Sequence, residues 1–314
     1  MNKIAFVFPG QGSQQVGMGK DVIHAYNQAK VIFNQADDRL GVPLSQIILN
    51  GPEEELKKTE NTQPAIVTVS VALYELLKQA GIKPDFTCGH SLGEYSALVA
   101  SGSLSFDDAV YAVRRRGLYM EEAVPSGSGA MSAVLGMKAD KLKDICSKVT
   151  LDGETVQVAN HNSPSQIVIS GSKEGVEKAS ILAKEQGAKR IVPLNVSGPF
   201  HSTLMAPAAE KFSQTLQEIT IHNAEIPVIA NVTADVEKQA DQISDLLIKQ
   251  LTSPVRWVES IEKLKSLGVD TYVEVGPGNV LSGLIKKIDR QATILQVNSV
   301  ETLEPALEVL EGRK

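Results

Sequence analysis

The chain is 314 residues long, 42% hydrophobic, with 31 basic and 37 acidic side chains giving a net charge of −6. That length allows one large core, or a main body with a smaller insert. Mild acidity without a long basic cluster argues against nucleic acid as the main partner, and no apolar run approaches the ~18 residues of a membrane span. Two cysteines, Cys88 and Cys146, are too few and too separated for a disulfide framework or a metal site.

Lys3 to Phe8 reads as a buried first strand; no full apolar h-region and small-residue cleavage site precede it, so cytoplasm is the expected compartment. The loop Pro9-Gly10-Gln11-Gly12-Ser13-Gln14 follows. A dinucleotide fingerprint needs glycine where Gln15 stands, and a Walker loop from Gly12 to Gly17 meets Met18 instead of lysine. What remains is uncharged donors at the carboxyl end of a strand, suited to a carbonyl oxygen that becomes an oxyanion.

Helices are predicted over Asp21–Leu40 and Pro64–Ala80, then a strand over Asp85–Cys88. Gly89-His90-Ser91-Leu92-Gly93 joins that strand to the helix-forming run Glu94–Ala100. G-x-S-x-G between strand and helix describes a nucleophile elbow, with glycines where the turn is strained and backbones approach closely. Ser105-Phe106-Asp107-Asp108 carries a cap pattern and opens a helix to about Val124 that includes Arg114, Arg115 and Arg116. Each helical step turns about 100°, so three successive arginines cannot share one solvated face. One of them should point inward, where it needs a carboxylate from the protein or from a substrate.

Pro125-Ser126-Gly127-Ser128-Gly129 reads as a hinge. Beyond it strands at 130–135, 155–159, 166–170 and 189–194 interleave with helices at 139–149 and 174–186, a split βαβ (ferredoxin-like) order. Ser197-Gly198-Pro199 returns the chain to the main body, which alternates again: helix 203–220, strand 226–230, helices 241–251 and 255–267, strand 271–275, helix 280–288, strand 293–297 and a last helix. The alternation implies parallel pairing with both sheet faces covered.

A serine nucleophile needs a neighbouring base. Of the five histidines, His90 adjoins Ser91 but diverges from it in an elbow, His24 lies in a surface helix, and His222 precedes an exposed-looking segment. His201, in the loop that re-enters the main body, and His161 remain as candidates. Serine before histidine agrees with α/β-hydrolase-type sites, yet no aspartate between them announces itself as a third member. An esterase or thioesterase, or a non-catalytic carrier-binding subunit, therefore stays open on these residues alone.

Four segments together, Phe8-Pro9-Gly10-Gln11-Gly12-Ser13-Gln14, Gly89-His90-Ser91-Leu92-Gly93-Glu94-Tyr95, Gly198-Pro199-Phe200-His201-Ser202 and Glu274-Val275-Gly276-Pro277-Gly278, closely resemble the malonyl-CoA:acyl carrier protein transacylases. These are stand-alone relatives of the acyltransferase domains of fatty acid and polyketide synthases. The resemblance implies an α/β fold: an α/β-hydrolase-like parallel-sheet core (1–124 and 199–314) with an inserted ferredoxin-like small subdomain (125–198). It implies ping-pong transfer of malonyl from malonyl-CoA, through an ester on Ser91, to the phosphopantetheine thiol of acyl carrier protein, supplying fatty acid synthesis. His201 would be the base, oriented by the Gln250 carbonyl; Gln11 and the Leu92 N–H would line the oxyanion hole; Arg116 would bind the malonyl carboxylate. Gln63, Asn160 and Asn162 would line the pocket, and Phe200 would crowd an α-methyl branch. No metal or permanently bound cofactor is implied, and a monomer is expected. Lys189-Arg190 and Lys286-Lys287 are candidate docking patches for an acidic carrier protein.

Overall fold

The apolar run at the start of the chain becomes the centre of a six-stranded sheet. The computed structural model describes residues 3–125 and 127–312, so Ser126 of the predicted hinge lies outside the described residues. In chain order the strands are β1 (Lys3–Phe8), β2 (Phe86–Gly89), β3 (Gly129–Leu135), β4 (Val156–Ser163), β5 (Gln166–Ser172), β6 (Arg190–Pro193), β7 (Val228–Ile229), β8 (Val236–Glu237), β9 (Val269–Val275) and β10 (Thr293–Val297). The larger sheet runs β10-β9-β1-β2-β7-β8 and the smaller β4-β5-β3-β6.

β1 pairs in parallel with both β2 and β9. Its alternate residues serve different layers, as the two-residue period of a strand requires. Phe6 and Phe8 join the core containing helix Thr59–Gln79, while Ala5 and Val7 join the opposite one with Trp257, Ile261, Leu281 and Ile285. Helix Thr59–Gln79 is buried on almost every face, which its apolar composition permits. Pro64 lies inside it and cannot donate to the Glu60 carbonyl; Arg114 Nη1 donates to that oxygen instead at 3.1 Å.

Three departures from the sequence reading have local causes. The helix predicted over Asp21–Leu40 is two helices, Lys20–Ala25 and Asn27–Leu40, parted by Tyr26 in an extended conformation (φ −130°) with its hydroxyl on Glu304. The main sheet is not wholly parallel, because β7 turns back through the 230–235 segment and pairs antiparallel with β8. Two short helices, Leu44–Asn50 and Glu53–Lys57, fill a stretch left unassigned.

All strands of the smaller sheet lie between Gly129 and Pro193, with helices Ala139–Leu151 and Lys173–Glu185 packed on it around Ile145, Val149, Val176 and Ala179. Its pairings are antiparallel. Strand β4 is an edge, but it is tied to the main body: Val255 donates to the Ala159 carbonyl at 2.8 Å and accepts from His161 N–H at 2.9 Å. Among the described residues no helix is long and apolar enough to cross a membrane.

Candidate active site

The turn after β2 is forced by contact. A Cβ on Gly89 would lie 2.0 Å from the Gly93 carbonyl, and one on Gly93 would lie 2.2 Å from the Phe8 carbonyl oxygen. Only glycine lets helix Gly93–Ala100 start this close to the ends of β1 and β2. Between the glycines Ser91 is held at φ +52°, a left-handed conformation that costs a non-glycine residue about 1–3 kcal/mol. Asn231, just past β7, secures the turn: its Oδ1 accepts from Ser91 N–H at 2.7 Å and its Nδ2 donates to the Gly89 carbonyl at 2.6 Å.

Ser91 Oγ stands 2.7 Å from His201 Nε2. His201 is 3% exposed and also left-handed, at φ +57°. Its Nδ1 faces two carbonyls, Gln250 at 2.9 Å and Ser253 at 3.2 Å. Carbonyls only accept, so Nδ1 carries the proton and Nε2 is free to accept from the Ser91 hydroxyl. Burial, and then the nearby Arg116 charge, lower the histidine pKa to about 3, which keeps the imidazole neutral at physiological pH.

Of the three successive arginines, Arg116 turns inward and is 0% exposed. Arg114 binds Glu60 and Asn61, and Arg115 lies over the Tyr119 ring. Arg116 Nη1 donates to Gln63 Oε1 at 2.9 Å; Nη2 donates to Gln250 Oε1 at 2.9 Å and to Ser91 Oγ at 3.2 Å. Among the described residues its Nε is buried without a hydrogen-bond partner, and every acceptor of the guanidinium is neutral. A desolvated guanidinium lacking a bonded carboxylate is poised for an anion, and burial pulls its pKa down.

The nearest buried carboxylate, Glu94, sits one amide away. Its Oε2 accepts from Gln250 Nε2 and from the Asn231 N–H, each at 2.9 Å. Burial raises its pKa to about 7, against the opposing pull of those hydrogen bonds and of Arg116. Gln250 therefore joins the groups of the site: its Nε2 also donates to the Ser91 carbonyl at 3.1 Å, and its own carbonyl accepts from His201 Nδ1.

The Gln11 loop lies against the elbow, since a Cβ on Gly10 would be 2.4 Å from the His90 carbonyl oxygen. Gln11 Nε2 reaches Thr59 Oγ1 at 3.4 Å. The N–H groups of Gln11 and Leu92 have no acceptor among the described residues. Asn162 Oδ1 pairs with His90 Nε2 at 2.7 Å, so His90 faces away from the serine and packs on Trp257. Asn160 and Phe200 are buried, at 7% and 5% exposure. The other candidate base, His161, lines a separate groove with Arg256 and Glu259. Among the described residues no three His, Cys, Asp or Glu side chains cluster as a metal site would require.

The sequence assigns neither Glu94, beyond its place in the elbow motif, nor Asn231 a part in the site. Asn231 carried a usable signal, a polar residue at the carboxyl end of the strand beside the elbow, where open α/β sheets place their sites.

A parallel-sheet α/β body with a Ser–His pair on a glycine-bounded elbow and a buried arginine beside it defines an acyl-transferring class of enzyme. The chain belongs to the family described as acyl transferase domain, whose model matches residues 5–309, and it is an acyltransferase. It is 57% identical over 311 residues to the malonyl CoA-acyl carrier protein transacylase of Bacillus subtilis (strain 168), covering 99% of this chain and 98% of that protein. The malonyl CoA-acyl carrier protein transacylase of Coxiella burnetii superimposes with a TM-score of 0.96 at 44% identity, over 98% of each chain. A malonyl-transacylase solved in complex with a type II polyketide synthase acyl-carrier protein matches with a TM-score of 0.95 at 43% identity, over 98% of this chain and 100% of that one.

Proposed function

We propose that the chain transfers malonyl from malonyl-CoA to the phosphopantetheine thiol of an acyl carrier protein, by a ping-pong route through an ester on Ser91, and so supplies fatty acid synthesis. The observation that carries this is Arg116: a fully buried guanidinium whose acceptors among the described residues are all neutral, 3.2 Å from the serine hydroxyl. It fits an acyl group that carries its own distal carboxylate, and the transacylase names of the relatives agree with that chemistry.

In the first half-reaction Ser91 Oγ attacks the thioester carbonyl while its proton passes to His201 Nε2. The tetrahedral oxyanion is received by the free N–H groups of Gln11 and Leu92. As the C–S bond breaks, His201 returns the proton to the coenzyme A sulfur. In the second half the carrier thiol gives its proton to His201 and attacks the ester, and Ser91 recovers its hydrogen. The resting histidine is a weak base because burial and Arg116 disfavour its cation. A malonyl carboxylate on Arg116 offsets that charge and raises the base strength when substrate is present. Gln63 and Gln250 hold the guanidinium, Asn160 and Asn162 complete the pocket wall, and Phe200 beside the base limits an α-branch.

The same reading assigns 1–124 and 199–314 to an α/β-hydrolase-like body and 125–198 to a ferredoxin-like insert. The βαββαβ order of the smaller sheet supports it. One chain supplies every group named, so the reaction needs no second copy.

Intact mass after mixing with malonyl-CoA tests the reading. A malonyl adduct on Ser91, absent in Ser91→Ala and discharged by holo carrier protein, is expected. Rapid hydrolysis with no transfer to the carrier would overturn it.

A further inference from the structure

The base is held partly from the smaller sheet. Gln157, on the edge strand β4, is half-buried, and its side-chain hydrogen bonds among the described residues leave that sheet. Its Nε2 donates to the His201 carbonyl at 3.1 Å and to the Thr252 carbonyl at 3.2 Å, while its Oε1 accepts from Thr203 N–H at 3.0 Å. One amide thus spans the backbone on both sides of Ser202 and joins it to the segment containing Gln250 and Ser253. Those two residues are the ones whose carbonyls receive the His201 Nδ1 proton.

We infer that Gln157 is a positioning residue for His201, fixing the imidazole against Ser91 by clamping the loop that bears the base to the loop that orients it. The inference rests on the reading of His201 as the general base.

Three features make the clamp consequential. His201 sits at φ +57°, a left-handed conformation that in a non-glycine residue persists only when its surroundings over-determine it. No other side-chain donor to that carbonyl is found among the described residues. The second attachment is close by: Val255 pairs with β4 at Ala159 and His161, so the 250–255 segment is gripped by Gln157 at Thr252 and by the strand backbone at Val255. The Nδ1 acceptors and the ring they hold therefore move together with β4. Among the described residues Gln157 makes no hydrogen bond to Ser91 or Arg116, so a change there leaves the bonds of the carboxylate anchor and of the elbow in place.

Single-turnover acylation by malonyl-CoA, and labelling of Ser91 by a fluorophosphonate, test this in the full chain. The fluorophosphonate reads Ser–His activation without any malonyl recognition. In Gln157→Leu both rates should fall roughly 10- to 100-fold, as expected for a small misplacement of a catalytic group, while the KM for malonyl-CoA stays within about twofold. Gln157→Glu keeps the acceptor for Thr203 but sets a carboxylate against two carbonyls. Its labelling should be slow at pH 8 and recover toward pH 5, where the protonated acid can donate to one of them; Gln157→Leu should show no such recovery. Folded Gln157→Leu that labels at the wild-type rate overturns the inference, whatever its melting temperature. If that variant does not fold, flat pH dependence in Gln157→Glu overturns it equally. Should wild type take no malonyl yet label more slowly in both variants, the substrate reading falls and the positioning role stands.

Discussion

Arg116 owes its chemistry to what it lacks. The guanidinium is buried among amides and a hydroxyl, while the one buried carboxylate nearby, Glu94, is kept at the far end of Gln250. A direct Glu94–Arg116 pair would satisfy both ions and leave nothing for a substrate. Arg116→Ala should therefore reduce malonyl transfer by orders of magnitude and acetyl transfer far less; equal losses with the two coenzyme A esters would contradict the anchor role. The two buried titrating groups also set opposite pH trends. His201, at about 3 in the fold against an ordinary 6.5, binds its proton more readily when unfolded, so it withdraws stability as pH falls from about 6.5 toward 3. Glu94, raised to about 7 from 4.5, contributes stability that is full below about 4.5 and lost as pH rises through about 7. In urea melts His201→Gln should gain on wild type by about 2 kcal/mol between pH 7 and pH 5; parallel stability curves would sink that assignment. Ser91 was legible from its glycines, and Arg116 only as one of three arginines. Glu94 was not legible, and Asn231 offered only its place at the end of a strand, because their contacts span 137 to 156 positions and exist only once β7 lies beside β2.

The elbow is an element defined by contact distances. Gly93→Ala would place its methyl 2.2 Å from the Phe8 carbonyl oxygen and 2.8 Å from that of Pro9, both backbone atoms that cannot rotate away. Helix Gly93–Ala100 must then lift off the strand ends, taking the Leu92 N–H with it. We expect activity to disappear and folding stability to fall by several kcal/mol, on the scale of overpacking plus strain. Gly283→Ala, in helix Val280–Ile288 with nothing within 4 Å of the added carbon, is the matched control and should stabilise by up to about 1 kcal/mol. Circular-dichroism melts of the two variants measure both effects, and a mild phenotype in Gly93→Ala would mean that the helix can shift. The legibility of elements follows the same logic. β1, the elbow and the paired helices of the smaller sheet announce themselves through local pattern. The strand predicted over 226–230 is present as β7, shortened to Val228–Ile229, whereas β8 is two residues long, too short to carry a period, and the break at Tyr26 depends on a contact with Glu304.

At the scale of the whole molecule, charge poses a problem that folding does not solve. The chain is net negative, at −6, and its proposed acceptor, an acyl carrier protein, is of a generally acidic kind. Long-range attraction between the two bodies is therefore absent, and encounter must rely on a local positive surface within about a Debye length of ~10 Å. Two exposed pairs qualify: Lys286 and Lys287 in the last turn of helix Val280–Ile288, and Lys189 and Arg190 at the start of β6. Neither pair forms an ion pair among the described residues, so their charge is not already spent on a neighbouring carboxylate. They belong to different sheets, the first beside β9 and β10 and the second on the smaller sheet, so a carrier touching both would bridge the two bodies. Reversal of Lys286 and Lys287 to Glu should raise the KM for carrier protein by about tenfold at low salt, with the difference shrinking as ionic strength rises. The malonyl-CoA half-reaction, read as adduct formation on Ser91, should be unchanged, because both residues lie outside the hydrogen-bonded site. The same reversal at Lys189 and Arg190 gives the second arm. An unchanged carrier KM in one arm removes that pair from the docking surface, and unchanged values in both would mean that recognition rests on the phosphopantetheine arm and not on the charge of the carrier.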